Sequence, residues 1–257
     1  MDPVCGMRIM LDDVFYCSLS GCCYFVGTVS TLISMTILIT AGPTREAIDP
    51  VRYMTNRSSG KMGYAIADVA AAKGQRVILI SGPTDTGLDI PDGVDFIPVE
   101  SALDMYQAVE RWIEKADIAI FAAAVADYRP AEVSDQKIKK DGEEMTLQLL
   151  RNADILGSAR SKFSFEGTLV GFAAETQNVI ENARIKLLKK GCDMVVANDV
   201  SRKDIGFDSN ENEVILVFRD DEESVAKADK HRIAHSVVEV AMGMEEDRRN
   251  SVKGDLK

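Results

Sequence analysis

From Met35 onward the chain alternates short apolar runs with helical periods, and few architectures accept that rhythm. Thr36–Ala41, Arg76–Ser81, Ala116–Ala124, Thr168–Ala173 and Met194–Asn198 read as buried strands, with pairs such as Leu169-Val170 and Val195-Val196 bounded by Gly171 and Asp193. Helical stretches at Lys61–Lys73, Ser101–Glu114, Ala153–Lys162 and Asn178–Lys190 lie between them. Strands separated by helices of this length pair in parallel through right-handed crossovers, so the expected fold is α/β, a doubly wound and mainly parallel sheet. Val214–Phe218 adds a late strand and His231–Met244 a closing helix. The charged residues 245–257 are expected to form a disordered tail.

Residues 128–151 break the rhythm. Pro130, a basic patch, Asp141-Gly142 and the alternation Met145/Leu147/Leu149 read as a projecting β-hairpin. Lys137–Lys140 would be one arm, Asp141-Gly142 the turn and Glu144–Leu150 the other arm. An exposed hairpin with an apolar face covers a site or pairs with another subunit.

Composition narrows the function. With 46% apolar and 28% charged residues the chain is globular, and a net charge of −11 argues against a nucleic-acid-binding surface. Four of the five cysteines fall at Cys5, Cys17, Cys22 and Cys23, leaving Cys192 alone in the rest. A disulfide framework there is impossible, and a reducing, cytoplasmic setting follows.

The first 34 residues form a separate segment. Val14 to Thr44 lacks charge, but Ser, Thr and Gly dilute the run and its end is the first strand, so a membrane anchor is not expected. Asp2–Met7 resembles the opening of a small metal-associated YHS domain, loosely echoed by Cys17-Ser18 and Cys22-Cys23. The segment reads as a degenerate leader or as a thiolate metal site.

Thr40–Gly63 is the chemically richest connection, a strand feeding a long polar loop that opens a helix, where backbone N–H groups attract anions. Gly60-Lys61 invites a P-loop reading. That motif also needs an opening glycine and a hydroxyl residue after the lysine, and the chain has Asn56 in the loop and Met62 after Lys61. The dinucleotide glycine fingerprint is also missing, since Ala41-Gly42-Pro43-Thr44 follows the first strand. Ser58 and Ser59 either cap the helix or hold a phosphate, and the Asn56 amide could steady an oxyanion.

Ala122–Tyr128 ends the third strand, where open α/β sheets bind ligands, and Asp127 there suits ribose hydroxyls or a cation. Lys186, Lys189 and Lys190 share a helix face, which reads as a solvated basic face or, with Lys137–Lys140, as a polyphosphate site. Phe172 could flank a base. His231 and His235 read as surface residues.

In order, ITAGPTREAIDPVRYMTNRSSGKMGYAIA, AAAVADYRP, KIKK, NADIL, VGFAAET and ANDVS resemble phosphopantothenate–cysteine ligase of the bacterial, CTP-dependent type, from about Met35 to Phe218 and more weakly to Gly243. The resemblance implies a Rossmann-like homodimer of coenzyme A biosynthesis in stand-alone form, with the ligase domain at 35–244. It further implies joining of 4′-phosphopantothenate and L-cysteine through an acyl-cytidylate, with CTP as co-substrate and Mg²⁺ beside it. Asn56 matches the residue acting on the acyl-cytidylate and Lys137 the catalytic lysine at the triphosphate. Phe121, Ala122, Ala123, Asp127, Asn152, Ala153, Asp154, Ile155, Phe172, Lys186 and Lys190 match nucleotide contacts, with Ala153 standing where the family commonly has proline. Asn56, Ser58, Ser59, Gly60 and Ala126 fall to the phosphopantothenate side, and the hairpin becomes dimer arm and flap. ATP in place of CTP, a Rossmann-type oxidoreductase and a non-catalytic nucleotide-binding protein are the alternatives.

Overall fold

The structure is a computed structural model describing residues 14–19, 22–28, 34–84, 88–140, 142–199, 201 and 211–254. The chain divides into two units, Met1–Ser34 and Met35–Lys257. In the first, β1 (Val14–Leu19) pairs antiparallel with β2 (Cys22–Thr28), setting Ser18 opposite Cys23 and Leu19 opposite Cys22. The Asp2–Met7 segment lies outside the described residues. No helix among the described residues is long and apolar enough to cross a membrane.

The second unit is built on β3 (Thr36–Ala41). A short ribbon of β4 (Arg45–Ala47) and β5 (Tyr53–Thr55) follows, then α1 (Lys61–Ala72), β6 (Arg76–Ser81), β7 (Asp95–Pro98), α2 (Ala102–Trp112) and β8 (Ile118–Phe121). After β9 (Tyr128–Pro130) and β10 (Leu149–Arg151) come α3 (Ile155–Ser161), β11 (Thr168–Glu175), α4 (Val179–Lys190) and β12 (Met194–Asp199), then β13 (Glu211–Val217), β14 (Glu222–Asp229) and α5 (Lys230–Gly254).

Eight strands form one sheet in the order β14-β13-β12-β11-β8-β3-β6-β7. The six from β12 to β7 are parallel, and β13 and β14 close one edge antiparallel. This is the α/β, mainly parallel, Rossmann-like sheet expected from the sequence. The chain leaves β3 toward β6 and β7, then returns to β8 on the other side. The direction of winding therefore switches between β3 and β8, and the connections there diverge to leave a crevice.

Alternate side chains of each strand enter opposite layers, because the strand period is two. Ile37, Ile39, Val77, Leu79, Val170 and Val196 pack under α1 and α5 with Ile66, Val69, Ile233 and Val237. Leu38, Ile78, Ile80, Ala119, Leu169 and Val195 pack under α2, α3 and α4 with Met105, Val109, Leu156 and Leu187. Each fully buried Ile or Leu contributes roughly 1.5–3 kcal/mol, which fixes the register of every central strand.

Two expectations need correction. The hairpin ladder does not run between KIKK and the Glu144–Leu150 arm; only the end of that arm pairs, at the base, where Leu149, Leu150 and Arg151 oppose Pro130, Arg129 and Tyr128. Residues 131–140 and 142–148 carry no strand, and Asp141 of the expected turn lies outside the described residues. Polar and charged residues dominate this stretch, and the apolar ones it carries, such as Val133 and Met145, are exposed, so too little apolar surface is buried within the chain to hold a longer ladder. The disordered tail is the second correction. Helix α5 continues to Gly254, and Glu245 is fully buried.

Candidate functional site

The crevice lies where the chain after β3 and the chain after β8 are laced together. Pro43 and Ala124 form an isolated parallel bridge, and the Ala124 N–H donates to Gly42 O at 2.9 Å. The Ala126 N–H donates to the Thr44 hydroxyl at 3.0 Å. Gly82 crosses this junction so closely that a Cβ there would meet Pro43 O at 1.9 Å, so no other residue fits. Small side chains at Ala122, Ala123 and Ala124 leave the β8 end open.

Asn56 sits on this rim, its Nδ2 donating to the carbonyls of Ala124 and Val125 at 3.0 and 3.1 Å. The loop continues through Ser58 and Ser59 into α1. The helix N-cap is Gly60, left-handed at φ 78°, with no side-chain cap hydrogen bond. The Ser58 hydroxyl accepts from the Gly60 N–H at 3.4 Å, and the first turn of α1 lies on the crevice wall. A side chain at Gly60 would be strained by its φ and would strike Thr84 Cγ2 at 2.5 Å.

A cavity of about 460 Å³ is lined by Asn56–Gly63, Ala122–Val125, Asp127, Phe172, Ala174 and Lys186, and also by Asn198, Asn212 and Lys230. A second, of about 230 Å³, is lined by Phe121, Ala123, Val125–Asp127, Asn152–Leu156, Phe172, Lys186 and Lys190. Ala123, Val125, Asp127, Phe172 and Lys186 belong to both walls, so the two cavities adjoin.

Several polar groups of the smaller cavity have definite anchors. The Asn152 side chain is buried, donating from Nδ2 to Ala126 O at 2.9 Å and accepting from Arg129 at 2.9 Å. Its backbone N–H donates to Asp127 O at 2.8 Å. Asp154 caps α3 by accepting from the Gly157 N–H at 2.9 Å, and it pairs with Lys190. Burial pushes the Asp154 carboxyl up, but the Lys190 hydrogen bond and the Gly157 N–H outweigh it, and the net direction is down. Lys186 donates to Phe172 O at 2.5 Å, and burial lowers its ammonium below the usual lysine range. Beneath it the Cys192 thiol is pushed up to about 12 by burial, so it stays protonated at neutral pH.

Of the residues singled out from sequence, Asn56, Ser58, Ser59, Gly60, Phe121, Ala122, Ala123, Ala126, Asp127, Asn152, Ala153, Asp154, Ile155, Phe172, Lys186 and Lys190 line one cavity or both. Lys137 lines neither. Its segment instead leans on the β4–β5 ribbon. The Ile138 N–H donates to Asp49 Oδ2 at 3.1 Å, and Arg52 donates to Ile138 O at 3.1 Å. Asp49 is the hub of this contact, buried and also accepting from the Val51 and Arg52 N–H groups at 2.9 Å. The Arg52 guanidinium holds its carboxyl well below the usual carboxylate range. His231 and His235 are surface residues, paired with Asp68 and Glu239.

Asn198, Asn212 and Lys230 were missed in the sequence. Asn198 is the penultimate residue of β12, which the strand-end rule could have found. Asn212 escapes the rule because β13 runs antiparallel and brings its first residues, not its last, to the ligand edge. Lys230 opens α5, where a lysine reads as a solvated helix start.

The chain as a whole is similar to known proteins. Residues 32–244 match the DNA/pantothenate metabolism flavoprotein C-terminal domain family. The coenzyme A biosynthesis bifunctional protein CoaBC of Vibrio parahaemolyticus is 48% identical over 205 residues, covering 79% of this chain and 51% of that protein. The Bacillus subtilis protein of the same name is 53% identical over 185 residues, covering 72% and 45%. The chain spans about half the length of the curated relatives it matches. Among solved structures, the C-terminal domain of a CoaBC protein superposes with a TM-score of 0.69 at 42% identity, covering 82% of this chain and 96% of that one. A DNA/pantothenate metabolism flavoprotein from Streptococcus pneumoniae shares the fold, with a TM-score of 0.71 at 23% identity. The family match covers the whole of the sheet and the helices that flank it as far as Met244, and the chain belongs to the DNA/pantothenate metabolism flavoprotein C-terminal domain family.

Proposed function

We propose that this chain is a phosphopantothenate–cysteine ligase, joining 4′-phosphopantothenate to L-cysteine in coenzyme A biosynthesis at the expense of CTP. The observation that carries this reading is the pair of adjoining cavities sharing Asp127, Phe172 and Lys186. An acid-activating ligase needs such a pair, a nucleotide seat opening onto a separate acyl seat, so that carboxylate and α-phosphate meet at the shared wall. The compact cavity with the Asn152–Ile155 turn takes the base and ribose. The larger one, with Asn56 and the α1 N-terminus, takes phosphopantothenate.

The chemistry has two steps. The phosphopantothenate carboxylate attacks the α-phosphate, pyrophosphate leaves, and an acyl-cytidylate remains. The cysteine amine then attacks the acyl carbon and CMP departs, leaving the amide. Lys186 and Lys190 meet phosphate charge, and Asn56 acts on the acyl carbon in the second step. CTP is assigned through the likeness to bacterial relatives. Among the described residues no group of three His, Cys, Asp or Glu side chains converges as a metal cage. A Mg²⁺ accompanying the nucleotide would supply charge neutralisation at the triphosphate, and no protein ligand is assigned to it.

Tyr128, Val133, Met145, Leu149 and Leu150 leave exposed apolar surface on the 128–151 segment, which supports a homodimer built across it. The reaction's small, charged reactants and the lone thiol of residues 35–257 fit a cytoplasmic enzyme. The test is pyrophosphate release with CTP and ATP in parallel. Release should require 4′-phosphopantothenate, favour CTP, and be followed by cysteine consumption. No release with either nucleotide would overturn the reading.

A further inference from the structure

The larger cavity has an end that the two-step scheme leaves without a task. Across the sheet order β3-β8-β11-β12-β13, Asn56 is tethered above β8, Lys186 reaches the Phe172 carbonyl on β11, and Asn198, Asn212 and Lys230 stand beyond, at β12, β13 and the start of α5. Asn212 is 5% exposed and Lys230 8% exposed, yet both face the cavity. A buried ammonium in a cavity wall acts on a bound anion with less solvent screening than a surface one. The wall as a whole is cationic. Arg57, Lys61, Lys186 and Lys230 line it against Asp127 as the one acid among its described residues, in a chain of net charge −11.

We infer that Lys230, flanked by the Asn198 and Asn212 amides, is the seat of the departing pyrophosphate. The inference rests on the reading that a nucleoside triphosphate is the co-substrate. Substitution at phosphorus places the entering and leaving oxygens roughly in line. A carboxylate oxygen from the Asn56 side bonds to the α-phosphorus. The bond from that phosphorus to the bridging oxygen breaks, and pyrophosphate leaves with the electron pair, with no proton needed. The leaving group must then travel away from Asn56 and past Lys186, and this path ends at Lys230. Holding the β- and γ-phosphates there also aims the α-phosphorus at the acyl seat.

The experiment measures inorganic pyrophosphate and CMP binding to the full chain by calorimetry, with neither acyl substrate nor cysteine present. Lys230→Met should weaken pyrophosphate at least about tenfold, as expected for loss of a charge-assisted hydrogen bond, while CMP affinity holds. Lys230→Arg should restore most of it. Asn212→Asp is the second variant, because it keeps the oxygen that accepts from the Glu213 N–H while replacing the amide N–H groups with negative charge. It too should weaken pyrophosphate and spare CMP, so a misfolded Lys230→Met leaves the question answerable. Unchanged pyrophosphate affinity in both variants overturns the inference. So does a loss that falls instead on phosphopantothenate affinity, titrated separately on the same variants, which would give this end of the cavity to the acyl substrate. Wild-type protein that binds pyrophosphate through Lys230 yet forms no product would sink the ligase reading and leave the anion seat standing.

Discussion

On the proposed ligase reading, Asn56 holds two tasks that a mutation can separate. Its Nδ2 is committed to the carbonyls of Ala124 and Val125, so in this state the amide ties the loop to the end of β8. To donate to an oxyanion on the acyl carbon, that amide has to leave at least one carbonyl, and bound acyl-nucleotide supplies the competing acceptor. The first step asks nothing of this donor. Asn56→Asp, which keeps the shape and removes the N–H groups, should still form the acyl-cytidylate and release pyrophosphate. Its turnover to product should drop on the order of a hundredfold, the scale of one lost oxyanion donor. Quenched-flow separation of acyl-nucleotide from product checks this. If both steps fall together, Asn56 acts as a loop tether alone. Full product formation would remove it from the chemistry. The sequence could name Asn56 by type and place; the two carbonyls it holds became visible only with β3 and β8 side by side.

At the scale of elements, legibility follows the balance of burial. The central strands were readable because both their faces are packed, so Thr36–Ala41 and Arg76–Ser81 are continuous apolar runs with matching observed bounds. Edge strand β14 went unread because its residues are mostly exposed, with charge that also protects an edge from pairing. The far half of α5 was misread for the opposite reason, a charged sequence around a buried carboxylate. Glu245 accepts from the Thr168 hydroxyl at 3.1 Å and from Arg248 and Arg249 at 2.7 and 2.9 Å, and Arg249 also pairs with Asp117. These contacts pin α5 to the starting ends of β8 and β11, a link no local pattern encodes. Removing Glu245 would leave a buried hydroxyl and two half-shielded cations without their acceptor, so Glu245→Ala should cost about 2–4 kcal/mol in denaturant unfolding. Burial alone pushes this carboxyl up, but the Arg248 and Arg249 hydrogen bonds prevail and its net shift is down. A depressed folded value means the stabilisation is complete above the ordinary glutamate range near pH 4.3 and is lost as pH falls through the lowered value. The gap between wild type and Glu245→Ala should therefore close only in acid below about pH 4. A gap unchanged from neutral to strongly acidic pH would mean that Glu245 stabilises by packing rather than by charge.

At the scale of the whole molecule, the distance between Asn56 and Lys137 in function is greater than their likeness in motif suggests. Asn56 lines the larger cavity, whereas Lys137 lines neither cavity of its own chain and its segment is held on the Asp49 hub. The same segment exposes Val133, Met145, Leu149 and Leu150, a surface that water disfavours and a second copy could cover. If Lys137 meets the triphosphate, the simplest geometry is a twofold dimer in which each cavity takes Lys137 of the partner subunit. Subunit mixing decides this. Asn56→Asp and Lys137→Ala chains should each be nearly inactive alone. In a random mixture about half the dimers are mixed. With sites shared across the interface, one site of a mixed dimer carries both lesions and the other carries neither, so the mixture should regain about a quarter of wild-type activity. With each site built from one chain, every site of a mixed dimer has one lesion and nothing returns. Activity that stays absent once mass analysis shows mixed dimers would place both residues in one subunit's site, and a monomer in sedimentation would remove the shared site altogether.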